Sequence, residues 1–223
     1  MRPPLRAAAL LAAAAALVTG CGSGDDWSRP HPAPSAVGTL EAGFADPSAP
    51  PAPEATITPR PGSWNGVHPS KGYRVVLLTA GDDRPTRSLV TAVKDWAAKE
   101  HVSLRTVVAD GPSDLLPAIT RSLAARPDLV VSAGDGLVDP LATATANHLS
   151  QQFLVVGAEL AEPTQNVTSV DWSGASFRGE GLGMSSTYDA ASFTAERCTA
   201  AIGAGTAAVL NHLTGIVIWL DEI

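Results

Sequence analysis

Short apolar runs alternate with amphipathic stretches over most of the chain, from about residue 71 onward. Six runs are rich in β-branched and aliphatic residues and are too apolar for strands that leave one face in water. They lie at residues 73–79, 103–109, 128–132, 152–156, 167–171 and 215–220. Between them, apolar residues recur at spacings of three and four, which predicts helices. These helices are predicted over residues 86–100, 112–125 and 139–148, with Asp139 capping the third and Pro140 at its first position.

Buried strands that alternate with amphipathic helices are typical of right-handed βαβ units. The pattern therefore predicts an α/β fold with a doubly wound parallel sheet over residues 71–223. A further helical stretch, rich in alanine, is predicted over residues 190–212. Its Gly203 and Gly205 are similar in spacing to a dinucleotide fingerprint, but they do not follow a strand. We interpret them as positions of close helix packing.

The N-terminus has the pattern of an export signal. Arg2 and Arg6 precede an apolar run over residues 7–18, which is too short to span a bilayer. The run ends at Val18-Thr-Gly-Cys21, which resembles the lipobox of bacterial lipoproteins. We expect residues 1–20 to be a signal peptide and Cys21 to carry the lipid, which would anchor the protein at the extracytoplasmic face of the bacterial cell membrane. An ordinary cleaved signal with a coincidental cysteine is the alternative.

The segment that follows, residues 21–70, is dominated by small residues and proline. Half of the chain's 18 prolines lie between Pro30 and Pro61, and few large side chains are available for burial. Such a composition predicts a disordered spacer that joins the anchor to the folded body.

Charge and motifs narrow the class of function. The net charge of -7 argues against nucleic acid as a partner. Once Cys21 is committed to lipid, Cys198 is the second cysteine, and we expect it to be a buried, inert thiol. The sequence has no nucleophile elbow, no phosphate loop with lysine and no metal-ligand spacing among its five histidines. We therefore expect neither catalytic residues nor a metal or cofactor, and hence no enzyme.

Glycine and carboxylate residues follow several of the predicted strands. In open α/β sheets, ligands bind outside the carboxyl ends of the strands. The candidate ligand-binding residues at that edge are Asp82, Asp83, Gly134, Asp135, Gly136 and Glu159. Their carboxylates would accept hydrogen bonds from the hydroxyl or amino groups of a polar solute, although glycine and aspartate are also common turn residues.

The order of these segments is similar to a known family. The run from Arg126 to Gly136, then a helix and Phe153-Leu-Val-Val-Gly157, resembles the basic membrane protein family of solute-binding lipoproteins. Asn166-Val-Thr-Ser-Val170, the lipobox and the proline-rich segment add to the similarity. The resemblance implies a type 1 periplasmic-binding fold, whose two α/β lobes close on a ligand, and it places ligand contacts at the candidate residues above.

The resemblance also implies a function. We expect a membrane-anchored solute-binding lipoprotein, and as its specific role we expect the substrate-binding component of an ABC importer for nucleosides or similar small polar solutes. Only one lobe is recognisable, so residues 215–220 are either its last strand or the first strand of another lobe, and the chain could be a truncated two-lobe protein. A lone lobe would need a permease, a second copy or another partner. The alternative function is a scaffold or sensor lobe that binds another envelope protein through an apolar patch.

Overall fold

The computed structural model describes residues 26–175 and 177–223. The predicted signal peptide and Cys21 therefore lie outside the described residues. The strands are β1 (Ala36–Val37), β2 (Thr56–Ile57), β3 (His68–Pro69), β4 (Arg74–Ala80), β5 (Ser103–Ala109), β6 (Leu129–Ala133), β7 (Gln152–Val156), β8 (Val167–Asp171) and β9 (Ile216–Trp219). The helices are α1 (Arg84–Lys99), α2 (Leu115–Ala124), α3 (Val138–Ala146) and α4 (Ala195–Leu210), with single 3-10 turns at Pro112–Asp114 and Ala190–Ser192. Over the described ranges, no helix is both long enough and apolar enough to cross a bilayer.

Seven strands form one parallel sheet in the order β2-β9-β8-β7-β6-β4-β5. Each face of the sheet is covered by its own apolar core. Val75 and Leu77 of β4 belong to the core with α1 and α4, and Leu78 belongs to the core with α2 and α3. The predicted doubly wound α/β sheet is confirmed.

The last strand belongs to this same sheet. In β9, Ile216 pairs with Thr168 of β8 and Val217 pairs with Thr56 of β2, both in parallel. Residues 215–220 therefore contribute a strand to the seven-stranded sheet, between β8 and β2. They do not open another lobe.

Residues 26–70 do not behave as a spacer; we name them the N-terminal strap. Trp27, Phe44 and Trp64 are buried, and the rings of Phe44 and Trp64 meet edge to face with centroids 6.5 Å apart. The strap also contributes β2 to the sheet edge, while β1 and β3 pair with each other. The expectation of disorder over residues 21–70 is therefore wrong for 26–70. The three large aromatic side chains bury enough apolar surface to hold the strap in place. Proline reduces the conformational entropy that the strap loses when it becomes ordered.

Two local details of the helices differ from their predictions. Helix α3 begins at Val138 after Leu137, so Asp139 lies inside its first turn and does not cap it. The carboxylate of Asp139 accepts a hydrogen bond from the backbone N–H of Glu180 at 3.0 Å. Helix α4 is shorter than expected because the 3-10 turn at Ala190–Ser192 precedes it.

The side chain of Cys198 in α4 is fully buried. Burial raises the pKa of this thiol to about 11, which agrees with the expectation of an inert thiol.

Gly205 allows helix α4 to press against the sheet, as the close-packing interpretation requires. A Cβ atom at Gly205 would stand 2.4 Å from Leu154 Cδ1 and 2.8 Å from Val170 Cγ2, both in the sheet. A Cβ atom at Gly203 would meet the Trp64 ring at 3.2 Å. Both glycines therefore serve packing, one against the sheet and the other against the strap.

We predict that Gly205→Ala lowers the free energy of unfolding by about 1–3 kcal/mol. The added methyl overpacks the core, and the free-energy cost of that strain exceeds the gain from the higher helix propensity of alanine. Gly203→Ala is the matched control. Its methyl meets one ring of the strap, so we expect a smaller loss. Urea unfolding of both variants measures the difference, and equal stability of the two would contradict this packing.

Candidate functional site

An open cleft of about 610 Å³ lies at the carboxyl ends of β4, β5 and β6. From β4 the chain turns to β5 on one side of the sheet and later to β6 on the other. The loops after β4 and β6 therefore flank the point where the strand order reverses, the place at which open α/β sheets bind ligands. Of the predicted residues, those that line the cleft are Asp82, Asp83, Asp135 and Gly136.

Asp83 has a structural task as well as a place in the cleft. It is the N-cap of α1: the backbone N–H of Thr86 donates to its Oδ1 at 2.9 Å, and Thr86 Oγ1 donates to its Oδ2 at 2.8 Å. Its carboxylate satisfies the first turn of the helix and still leaves negative charge at the cleft. Asp82 is exposed, and its backbone carbonyl accepts a hydrogen bond from the Arg87 guanidinium.

Asp135 lies between two glycines that shape the loop after β6. Gly134 is buried with a φ of +85°, and its N–H donates to the carbonyl of Val156 at 2.9 Å. Gly136 approaches the end of β4 so closely that a Cβ atom would meet the Ala80 side chain at 3.3 Å. These glycines fix the backbone, while the Asp135 carboxylate faces the cleft. Partial burial, and secondarily the charge of Asp83, raises the pKa of Asp135 above its usual value.

One further residue, Tyr188, is not among the site residues predicted from the sequence. It lies in the long loop between β8 and α4. Burial, and then the charges of Asp135 and Asp83, raises the pKa of its phenol, and Tyr188 itself is not among the described residues that line the cleft. Its ring centroid is 6.2 Å from that of Phe193, and the side chain remains 46% exposed. The available signal was an aromatic residue in a glycine-rich loop that leaves the same edge of the sheet.

Glu159 is not brought to the cleft with the other candidates. Its buried carboxylate is ion-paired with Arg178, with Oε1 and Nε 2.7 Å apart. Burial raises the pKa of Glu159, and the Arg178 charge partly opposes that rise. The chain's own cation therefore takes the place that the sequence analysis gave to a ligand.

The electrostatics of the cleft favour particular solutes. Its described lining contains the carboxylates of Asp82, Asp83, Asp110 and Asp135 and no lysine, arginine or histidine. Donors such as amino and hydroxyl groups are favoured there, and anions are repelled. Within residues 26–175 and 177–223, no group of three or more histidine, cysteine or acidic side chains is arranged to hold a metal ion.

A second cavity, of about 550 Å³, lies between the strap, α1 and α4. Its lining includes Trp64, Trp96, Lys99 and the ion pair of His68 with Glu100. Acidic, basic and apolar groups are mixed in this cavity, and it is remote from the point where the strand order reverses. We therefore take the cleft at the carboxyl ends as the candidate site.

Comparisons with known proteins give only loose similarities. No protein-family model matches the chain, and no curated protein matches it. A solute-binding protein of an ABC transporter system from Aeropyrum pernix K1 aligns at 17% identity and a TM-score of 0.41, over 45% of this chain and 29% of that one. A fragment of a candidate lipoprotein from Peptoclostridium difficile 630 aligns at 16% identity and a TM-score of 0.45, over 63% of this chain and 99% of that one.

A transcriptional activator of the comK gene from Bacillus halodurans is also similar, at 13% identity and a TM-score of 0.40, over 66% of this chain and 54% of that one. This chain thus corresponds to less than a third of the Aeropyrum pernix protein. The similar structures carry different functions, and the similarities are loose, so the functional argument rests on the residues of the cleft.

We predict that Arg178→Met lowers the free energy of unfolding at pH 7 by about 1–3 kcal/mol, because it leaves the buried Glu159 carboxylate without its partner. Loss of Arg178 moves the folded-state pKa of Glu159 further upward. The penalty is therefore present at high pH and declines as the pH falls and Glu159 takes up a proton. Urea unfolding from pH 4 to pH 8 measures this trend.

The double variant Arg178→Met, Glu159→Gln is the control for that trend. Its stability relative to the native chain should change less with pH than that of the single variant. A penalty for Arg178→Met that does not vary with pH would contradict the role given to the ion pair.

Proposed function

We propose that the chain is a lipid-anchored, extracytoplasmic solute-binding lobe of the type 1 periplasmic-binding kind, and that it binds without catalysing a reaction. The observation that carries the proposal is the cleft where the strand order reverses, with Asp83 and Asp135 on its two sides. Such crevices are the usual ligand sites of open α/β sheets. We also propose that the chain is the substrate-binding component of an ABC importer for nucleosides. This part of the proposal comes from the sequence resemblance to the basic membrane protein family.

The chemistry of the cleft supports a neutral or cationic solute with several hydrogen-bond donors. The carboxylates of Asp82 and Asp135 can accept from sugar hydroxyls or amino groups. Tyr188 lies outside the described cleft lining but within electrostatic range of Asp135 and Asp83, and we propose that its partly exposed ring stacks against a flat base. A nucleoside supplies both the hydroxyls and the flat ring, whereas a nucleotide would bring a phosphate into an acidic cleft.

A single lobe covers one side of such a solute. Two-lobed proteins bury most of the ligand between their lobes. If each lobe contributes equally, the loss of one converts micromolar into millimolar affinity, a difference of about 4 kcal/mol. We therefore propose that tight binding requires a second surface, supplied by a permease subunit, another lobe or a second copy of this chain.

One observation favours a second candidate function, docking of another envelope protein at the carboxyl ends of the strands. Large apolar side chains there are exposed: Val108 near the end of β5 by 47%, and Leu182 and Met184 in the loop between β8 and α4 by 52% and 46%. Contiguous patches of such side chains mark protein interaction surfaces, and we propose that these residues contact the partner. A docked partner would cover the same cleft, so the two candidates differ in whether a small solute binds without the partner.

We predict weak, selective binding of nucleosides to the chain that begins at Cys21. At 10 mM solute and a dissociation constant near 1 mM, the folded state gains about 1.4 kcal/mol. This gain corresponds to a rise in melting temperature of about 3–5 °C for a domain of this size. A thermal-shift screen should compare each nucleoside with its monophosphate, and we expect the phosphate to abolish the shift.

Charge-removing variants locate the binding. Asp135→Asn should weaken it about tenfold or more, because a charge-assisted hydrogen bond is lost. Asp83→Asn should also weaken it while α1 stays capped, since asparagine caps as well as aspartate does. Asp95→Asn, on α1 away from the cleft, makes the same charge change as a control. If no solute shifts the melting temperature, or if Asp95→Asn has the same effect as Asp135→Asn, the solute proposal fails. Crosslinking of a partner at Leu182 in that case supports the second candidate.

The anchor has its own test. We predict that Cys21→Ser abolishes incorporation of labelled fatty acid and releases the protein from the membrane fraction of a bacterial host, since the thiol is the acyl attachment point. Mass spectrometry of the native chain should show a lipid-bearing N-terminal Cys21. Cys198→Ser is the control and should leave the label in place, and an unlipidated Cys21 in the exported protein would overturn the anchor.

A further inference from the structure

The start of the strap is clamped to the amino ends of β4, β5 and β6. Arg74 is the first residue of β4, and it is nearly buried. Its guanidinium donates to the backbone carbonyls of Arg29 at 3.0 Å, Trp27 at 3.2 Å and Asp26 at 3.3 Å. One buried cation therefore binds three backbone carbonyls within residues 26–29, at the start of the strap.

Two further side chains of the strap reinforce this clamp. The Trp27 indole N–H donates to Ser103 Oγ at 2.7 Å, and the Arg105 guanidinium lies 4.3 Å from the centroid of the Trp27 ring. His31 Nε2 lies 2.8 Å from Oδ1 of Asp128, whose Oδ2 accepts from the backbone N–H of Arg74 at 2.8 Å. The contacts fall at the start of β4, at the start of β5 and just before β6.

Chain length then limits how far the anchor can lie from this clamp. Five peptide units separate Cys21 from Asp26, and fully extended they span about 18 Å at most. A free spacer of about 50 residues would have a mean end-to-end distance of about 40 Å. The seven residues of β4 cover about 20 Å from the clamp to the loop that carries Asp82 and Asp83.

We propose that the amino ends of the sheet strands face the membrane at close range, and that the cleft at their carboxyl ends points away from it. The inference rests on the lipid at Cys21 from the proposed function and on the clamp, and it does not depend on the solute. It replaces the long flexible tether that the sequence predicted with a short, oriented attachment.

The distribution of charge supports this orientation independently. Exposed cations at the amino ends of the strands are Arg29, Lys71, Arg105 and Arg126. The acidic residues at that end are Asp26, which is ion-paired with Arg29, Asp128 and Glu100, which contact His31 and His68, and the exposed Glu54. At the carboxyl ends, Arg84 and Arg87 at the start of α1 are exposed cations, and the described loops carry the carboxylates of Asp82, Asp83, Asp110, Asp135, Glu180, Asp189, Asp221 and Glu222. An anionic bilayer surface therefore repels the carboxyl ends of the strands more strongly than the amino ends.

The test uses the chain from Cys21 onward, coupled through that thiol to a maleimide lipid in vesicles of phosphatidylcholine and phosphatidylglycerol. Cys198 is buried, so it does not compete for the reagent. Chemical coupling makes the test independent of whether the cell lipidates Cys21. A fluorescent donor is placed, as a non-natural amino acid, at Lys71 in one sample and at Asp110 in another, and energy transfer to acceptor lipids is measured. We expect clearly stronger transfer from position 71, because it lies about 20 Å closer to the bilayer.

Variants show whether the clamp sets the orientation. Arg74→Gln should bring the two transfer efficiencies together, whereas Arg87→Gln, at the other end of the sheet, should leave them apart. If Arg74→Gln fails to fold by circular dichroism, Trp27→Ala takes its place, with the same expected convergence. Equal or reversed transfer in the native chain, or a folded clamp variant that keeps the full difference, overturns the proposal.

Discussion

Seven strands that all run in one direction are the constraint on which the rest of this structure depends. A parallel sheet requires a crossover for each strand, and here helices on both faces bury it in two separate cores. The same directionality gathers every loop that follows a strand at one edge. The molecule consequently has two chemically different ends, with carboxylate-rich turns at one and the clamp of Arg74 at the other.

The N-terminal strap adds an edge strand to the sheet and also gives the two ends of the molecule their different character. Its residues Thr56 and Ile57 form an edge strand beside β9, and Trp64 packs over Gly203 on α4. A segment of low average hydrophobicity is thereby held by a few aromatic side chains at specific positions. The strap links the expected anchor to the folded body without the loose tether that its proline content indicated.

Local patterns were enough to predict the framework, and distant contacts explain what they missed. The strands at 103–109, 152–156 and 167–171 were predicted to the residue, because each is a short run rich in β-branched and aliphatic residues between turns. The edge strand β5 is nevertheless only partly buried. The order of the strap depends on partners far along the chain, such as Ser103 for Trp27, which composition does not encode. For the same reason, Arg178 beside Glu159 and Tyr188 near Asp135 escaped the sequence analysis, although the aspartates at the cleft were found.

The central claim is that residues 26–70 are part of the fold and give the molecule an attached end and an open end. Hydrogen–deuterium exchange of the whole exported chain tests this claim most directly. The account predicts slow exchange for the amides of Val217 and of Glu54, whose N–H groups donate to Ala55 and Gly215, at rates comparable with those of β8. Exchange across residues 26–70 at the rate of an unfolded chain, beside a protected sheet, would contradict it.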